Sequence, residues 1–203
     1  SLQMGMVAAE RIFEILETHS NIEDKGKLKP SQINGDICLE KLGFSYTQGE
    51  RIINDISLEI KSGETIALVG ATGAGKSTII NLISRFYEFD SGDITIDGIS
   101  IRKYDLKSLR NKVSVVLQDV FLFADSLFNN ITLFDSRISK DKVIEAAKNI
   151  GVHDFIESLP NGYDYNVKER GVMLSTGQRQ LIAFLRAYIS EPSILVLDEA
   201  TSS

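Results

Sequence analysis

The stretch that decides the fold is Gly70-Ala71-Thr72-Gly73-Ala74-Gly75-Lys76-Ser77. The apolar, partly β-branched run Thr65 to Val69 precedes it and predicts a buried strand. The segment from Thr78 to Ile83 follows it, with apolar residues at helical spacing. A strand, a turn of the form G-x-x-x-x-G-K-S and a helix together make up the phosphate-binding loop motif.

The residue types of this loop suit phosphate binding. Glycines let the backbone curl so that its N–H groups approach phosphate oxygens, and the following helix directs its positive end at the same place. Lys76 adds a mobile charge for the outer phosphates, and Ser77 offers a hydroxyl to a magnesium ion. The alternative is a glycine turn with an incidental lysine, which the flanking strand and helix patterns disfavour.

Composition excludes several other classes of protein. The net charge of −6 argues against nonspecific nucleic-acid binding, which needs a positive surface. The single cysteine, Cys38, excludes an internal disulfide and a cysteine-rich zinc site. No apolar run approaches the roughly 20 residues that span a bilayer, and no signal-peptide pattern is present. These features predict a cytosolic, reducing location and no nucleic-acid partner.

The remaining segments predict the domain organisation. Residues 2–17 have the apolar spacing of an amphipathic helix, and the polar residues 18–35 predict a linker. Alternating patterns from Asp36 onward predict an antiparallel β layer before the phosphate loop. Residues from about 119 to 190 are rich in helix patterns.

A pair of acidic residues directly follows a second apolar run. Ile194 to Leu197 predicts a buried parallel strand that ends in Asp198 and Glu199. Beside a phosphate loop, Asp198 can hold magnesium directly or through water, and Glu199 can polarise the attacking water. An acidic strand end before a turn is the alternative, and the phosphate loop in the same chain argues against it.

A third motif, Leu174-Ser175-Thr176-Gly177-Gln178-Arg179-Gln180, lies shortly upstream of Ile194. It resembles the signature motif of the ATP-binding-cassette (ABC) ATPases, with Thr176 where the usual form has glycine. The resemblance covers residues 36–203. It implies an α/β fold, with a P-loop NTPase (ABC ATPase) core, an antiparallel β subdomain and a helical subdomain at about 119–190.

Within that family the chain is most similar to exporters whose transmembrane and ATPase parts share one polypeptide. Ala9 to Leu16 looks like the segment that joins the last transmembrane helix to the cassette. Arg85-Phe86-Tyr87 and Glu169-Arg170-Gly171 are also exporter-like. The usual form of the latter motif has glycine where this chain has Lys168.

The resemblance implies a motor domain at the cytoplasmic face of the cell membrane, within an integral membrane transporter. Residues 1–17 would continue from a transmembrane domain of the same polypeptide. ATP-driven dimerisation with a second ABC nucleotide-binding domain, identical or different, and hydrolysis would drive export. The alternative is a soluble ABC ATPase of DNA repair or translation, which the net charge of −6 and the joining segment oppose.

The resemblance also implies roles for individual residues. Tyr46 would stack on adenine, an interaction worth ~1–3 kcal/mol, although a core tyrosine at a strand end is the alternative. The residues expected to bind ATP are Tyr46, Ile53, Gly70, Ala71, Thr72, Gly73, Ala74, Gly75, Lys76, Ser77, Thr78, Ser175, Gly177 and Gln178. The Mg²⁺ ligands would be Ser77, Gln118 and Asp198. The catalytic residues would be Glu199, Gln118 and Lys76.

Parts of the family pattern are expected beyond Ser203. They include an aspartate shortly after the acidic motif and a histidine that contacts the γ-phosphate. His19 and His153, the two histidines of the chain, do not match that position. We therefore expect a C-terminally truncated cassette, which by itself hydrolyses ATP very slowly or not at all.

Overall fold

The computed structural model describes residues 2–17, 22, 24–47 and 49–198, with side chains in the first helix from Met6 onward. That helix, α1 (Leu2–Glu17), has the bounds that the sequence predicts, and its described side chains are exposed. No helix in these ranges is long and apolar enough to cross a membrane.

An antiparallel sheet forms the first layer, as the alternating patterns predict. Its four strands, in the order β2-β1-β3-β4 across the sheet, are β1 (Ile37–Ser45), β2 (Arg51–Ile60), β3 (Ser91–Ile96) and β4 (Ile99–Ser100). The central strand β1 places Leu39 opposite Leu58 on one side and Ile94 on the other. Successive side chains of a strand alternate between faces, so one face of β1 enters the core, where Leu39 is 1% exposed.

The predicted strand before the phosphate loop does not form. Residues 65–69 have no regular secondary structure, and Val69 is 93% exposed. A parallel strand becomes buried only when neighbouring strands take up its backbone hydrogen bonds and cover its side chains. The described residues provide no such neighbour, so the prediction of a buried strand is wrong here. The helix after the loop, α2 (Lys76–Ile83), forms as predicted and buries its apolar face.

A two-stranded parallel sheet carries the acidic motif. β5 (Val113–Val116) pairs with β6 (Ile194–Leu197), and Val116 lies opposite Leu197. The parallel pairing of β6 is confirmed, but its predicted burial is only partly correct because Leu197 is 48% exposed. The short helix α3 (Leu106–Arg110) precedes β5, and the carboxylate of its N-cap, Asp105, accepts a hydrogen bond from a backbone N–H of the first turn.

Helices dominate the region between the two strands of this sheet. They are α4 (Leu127–Thr132), α5 (Lys140–Asn149), α6 (His153–Glu157) and α7 (Thr176–Ile189). Their apolar residues form a hydrophobic cluster separate from the one beneath the antiparallel sheet. The predicted α/β fold with a β subdomain and a helical subdomain is therefore confirmed. The domain boundaries at 36, 119 and 190 remain predictions.

The described part of the predicted linker lies along the antiparallel sheet. Asp97, in the turn after β3, accepts hydrogen bonds from the backbone N–H groups of Asn34, Gly35 and Asp36 at 2.7, 3.0 and 3.0 Å. Ile33 is 4% exposed and belongs to the core of the sheet. These contacts hold residues 33–36 in place before β1 begins.

Candidate functional site

The backbone of the phosphate loop has the geometry that its glycines predict. Gly73 and Gly75 have φ angles of 83° and 87°, a left-handed region in which glycine is strongly favoured. A Cβ at Gly75 would lie 2.7 Å from Cδ1 of Ile53, so the loop also needs glycine there for space. Gly75 is the N-cap of α2 and supplies no side-chain cap. The first N–H groups of α2 therefore remain suited to anion binding.

The ammonium group of Lys76 lies over the loop. It donates hydrogen bonds to the carbonyl oxygens of Gly70 and Ala71 at 2.8 and 2.9 Å. These contacts fold the long side chain back onto its own loop. Phosphate oxygens are stronger acceptors for an ammonium group than neutral carbonyls, because a charged acceptor strengthens the hydrogen bond. The lysine is thus placed to exchange its loop contacts for the outer phosphates of a bound nucleotide.

The phosphate loop and the acidic motif meet at the end of the parallel sheet. The hydroxyl of Ser77 donates to Oδ1 of Asp198 at 3.1 Å, although 121 positions separate them in the sequence. The N–H of Asp198 donates to the carbonyl of Val116 at 2.9 Å, which holds the residue beside the end of β5. Gln118 lies two positions after Val116 and is exposed at the same edge. Glu199 lies outside the described residues.

This group of oxygen ligands fits a magnesium ion. Mg²⁺ prefers oxygen ligands and is usually held by one or two carboxylates together with water and substrate phosphates. Ser77 and Asp198 supply a hydroxyl and a carboxylate, and Gln118 can supply an amide oxygen. Within the described ranges, no group of three or more His, Cys, Asp or Glu residues could hold a metal. The residues therefore suit a metal that binds with phosphates rather than one held by protein alone.

An aromatic cluster lies beside the first turn of α2. Tyr46 is 47% exposed, and its hydroxyl shares a hydrogen bond of 3.2 Å with the hydroxyl of Thr78. The rings of Phe44 and Tyr87 lie perpendicular to it, with centroids 4.8 and 5.0 Å away. Ile53 has no exposed surface and packs beneath Gly75, so its contact with the base remains a prediction.

The signature motif forms the start of α7. The hydroxyl of Ser175 accepts from the N–H of Gln178 at 3.2 Å, and the amide oxygen of Gln178 accepts from the N–H of Ser175 at 2.8 Å. This reciprocal pair of hydrogen bonds makes Ser175 the N-cap of α7. Gly177 lies exposed in the first turn. In the described part of the chain, neither capping side chain hydrogen-bonds to the phosphate loop.

A further exposed surface received no role from the sequence. We call it the aromatic groove: Phe121 and Phe123 line a cavity of about 430 Å³ between β5 and α7, and Phe134 packs against Phe123 at its side. Phe121 and Phe134 are each 56% exposed. The buried amide of Asn130 holds the loop beneath them, because it both donates to and accepts from the backbone of Phe123. Arg186 donates to the Asn130 carbonyl at 2.9 Å, and burial lowers the pKa of its guanidinium.

Sequence reasoning missed this groove, although the spacing of phenylalanines just after Gln118 was a possible signal. It also assigned no role to Tyr87 beyond its place in an exporter-like motif. The structure shows that the ring of Tyr87 contacts the ring of Tyr46, although one residue precedes the phosphate loop in the sequence and the other follows it.

Comparison with known proteins assigns these motifs to one protein family. The family described as ABC transporter matches residues 53–202, from β2 through the phosphate loop and the signature motif to the acidic pair. The chain belongs to this family. The ABC ATPase domain that the motifs predict is therefore confirmed.

Similar ABC proteins come from several bacteria. The ABC transporter ATP-binding protein YknV of Bacillus subtilis is 46% identical over 203 residues, which are 100% of this chain and 34% of that protein. An ATP-dependent lipid A-core flippase of Albidiferax ferrireducens is 45% identical over 205 residues, which are 100% of this chain and 35% of the flippase.

A solved structure shows the same fold. It is a bacterial Atm1-family ABC exporter with ATP bound, which is 36% identical and superposes with a TM-score of 0.89. The match covers 99% of this chain and 35% of the exporter. The chain thus spans about a third of the length of the relatives it matches, and its predicted similarity to ABC exporters is confirmed by this structure.

Proposed function

We propose that this chain is the ATP-driven motor of an ABC exporter. The observation that carries the proposal is the contact of Ser77 with Asp198 at 3.1 Å, because it joins the phosphate loop to the acidic motif. Binding of ATP would bring two cassettes together, and hydrolysis would release them. Such a cycle shifts a population between open and closed pairs through contacts that exist only with ATP bound.

The residues around the loop would hold MgATP. Lys76 and the backbone N–H groups of residues 70–77 would bind the phosphates, and Tyr46 would stack on the adenine. Ser77, Gln118 and Asp198 would hold the magnesium ion, which neutralises charge on the phosphates during their transfer. Glu199, the next residue after Asp198 in the sequence, would orient the attacking water.

A second ABC domain would complete the site. The start of α7 is suited to a γ-phosphate, because the backbone N–H groups at a helix N-terminus attract anions. Gly177 lies exposed in its first turn. In the described part of the chain, the side chains of Ser175 and Gln178 bond to each other's backbone and not to the phosphate loop of the same chain, so the signature motif would face the loop of a partner cassette.

A transmembrane domain would be the other partner, placing the chain at the cytoplasmic face of a membrane. The aromatic groove follows Gln118 directly, so a helix of that domain seated in it would sit near the proposed metal site. The exposed apolar side chains of α1, including Ile12 and Phe13, would continue toward the same domain. The support is the length of the solved ABC exporter, of which this chain covers 35%.

Calorimetric titration with MgATP tests the nucleotide site. Lys76→Ala is expected to weaken binding at least about tenfold, because a charge-assisted phosphate contact is worth roughly 1.5–3 kcal/mol. Lys140→Ala removes an equal charge from an exposed ion pair on α5 and should leave affinity unchanged. Equal affinities for the wild type and Lys76→Ala would contradict the assignment.

Mixing two defective variants tests the shared site. A Cβ at Gly177 meets no atom within 4 Å, so Gly177→Asp fits within one chain but adds negative charge where the partner's phosphates would lie. Lys76→Ala or Gly177→Asp alone should not dimerise in MgATP, as measured by sedimentation. Their mixture retains one intact site and should dimerise. If the wild type dimerises in MgATP but the mixture of the two variants stays monomeric, the proposed shared site is refuted.

A further inference from the structure

We infer that Tyr87 is a positioning residue for the nucleotide base: its ring sets the orientation in which Tyr46 meets the adenine. The inference rests on the proposed ATP site. The two rings are perpendicular, at 88°, with centroids 5.0 Å apart. Perpendicular aromatic pairs are favoured because the positive edge of one ring meets the negative face of the other. The edge-to-face contact with Tyr87 therefore stabilises one orientation of the Tyr46 ring.

Glu88, the residue after Tyr87, is held by charged side chains. Its carboxylate accepts hydrogen bonds from Nε of Arg85 at 2.8 Å and from Nε of Arg102 at 3.0 Å. The Arg85 side chain is 3% exposed, and Arg102 also lies over the ring of Phe89, 3.7 Å from its centroid. The Arg85–Glu88 pair is largely shielded from solvent, so it is screened less than an exposed ion pair. The turn after α2 thus presents Tyr87 from a fixed place.

Tyr46 depends on such support because it lies just outside the sheet. It follows Ser45, the last residue of β1, so the ladder does not fix its backbone on both sides. Its hydroxyl is held by Thr78 at 3.2 Å, while its ring meets Phe44 and Tyr87. One end of the side chain is thereby fixed to the first turn of α2, and the ring is fixed by its two aromatic neighbours.

The contribution of Tyr87 is preorganisation. Phe44 is 3% exposed and belongs to the core, whereas Tyr87 is 44% exposed and lies at the open side of the cluster. Without Tyr87, the ring of Tyr46 would gain freedom that must be lost again when a base stacks on it. A perpendicular aromatic pair accounts for an effect of about three- to tenfold on affinity. The effect should concern the base and leave phosphate binding unchanged.

The test compares two ligands on variants of the full 203-residue chain. MgATP engages both base and phosphates, whereas magnesium tripolyphosphate engages only the loop. Tyr87→Ala should weaken MgATP binding about three- to tenfold and leave tripolyphosphate binding unchanged. Tyr87→Phe keeps the ring and should restore MgATP affinity. Tyr188→Ala, at a tyrosine of similar exposure on α7, is the matched control and should change neither ligand.

The outcomes separate this inference from the proposed function. If the wild type binds MgATP no better than tripolyphosphate, there is no base site and both ideas fail. If the wild type prefers MgATP and Tyr87→Ala keeps that preference, the inference is overturned while the ATP site stands. Equal losses for both ligands in Tyr87→Ala would show a structural role for the ring and would also overturn it.

Discussion

Replacing Lys168 by glycine should make this protein more stable. Lys168 has φ 61° and ψ −174°, a backbone region that is essentially restricted to glycine. A side chain there costs about 1–3 kcal/mol, and the greater entropy of glycine in the unfolded chain offsets about 0.5–1 kcal/mol of the relief. Lys168→Gly should therefore raise the free energy of unfolding by about 0.5–2 kcal/mol.

Urea unfolding followed by circular dichroism measures this change. The hydrogen bond from the Lys168 N–H to Oδ1 of Asn166, at 2.9 Å, uses only the backbone of residue 168 and survives the substitution. Lys168→Ala removes the same charge but keeps a Cβ, so it should give no gain. The melting temperature of Lys168→Gly should rise by about 1–8 °C. A glycine variant no more stable than the alanine variant would refute the assignment of strain to this position.

Two further substitutions probe the helical subdomain. Asn130→Ala should lower the free energy of unfolding by about 1–3 kcal/mol, because the part-buried N–H of Phe123 loses its partner, while the carbonyls of Phe123 and Ser126 keep backbone N–H donors. In urea unfolding, an equal loss for Asn129→Ala on the same helix would contradict this. Burial raises the pKa of Tyr163 from 10.0 to about 12, so the stability it contributes is present below pH 10 and is lost as pH rises toward 12. Tyr163→Phe should flatten the fall in unfolding free energy over that range, and an unchanged slope in alkaline denaturation would count against it.

Features with a local cause could be predicted from the sequence. The left-handed turns at Gly73 and Gly75 follow from the freedom of glycine, and the caps at Asp105 and Ser175 follow from side chains that reach their own first turn. The parallel pairing of β6 could be anticipated from the order of the motifs. The position of Lys168 also carried a sequence signal, because the usual form of the exporter motif that it resembles has glycine there.

Features that depend on distant partners could not be predicted in this way. The run from Thr65 to Val69 has the composition of a buried strand, yet it is exposed because burial requires a neighbour that composition cannot supply. The aromatic groove was missed for the same reason, since exposure of Phe121 depends on how α7 packs against β5. The apolar pattern of a segment indicates which secondary structure it favours, whereas tertiary packing decides whether that structure forms and becomes buried.

By itself, the sequence determined the family, the motifs and the local backbone of the phosphate loop, because each of these depends on residues close together along the chain. The resemblance already implied that Ser77 and Asp198 share a magnesium ion; the tertiary structure alone showed their direct hydrogen bond and the contact of Tyr87 with Tyr46. Those contacts arise because the sheets and α2 bring separated segments to one edge. The loop supplies the phosphate-binding groups, and the packing around it supplies the ligands and rings that complete the proposed site.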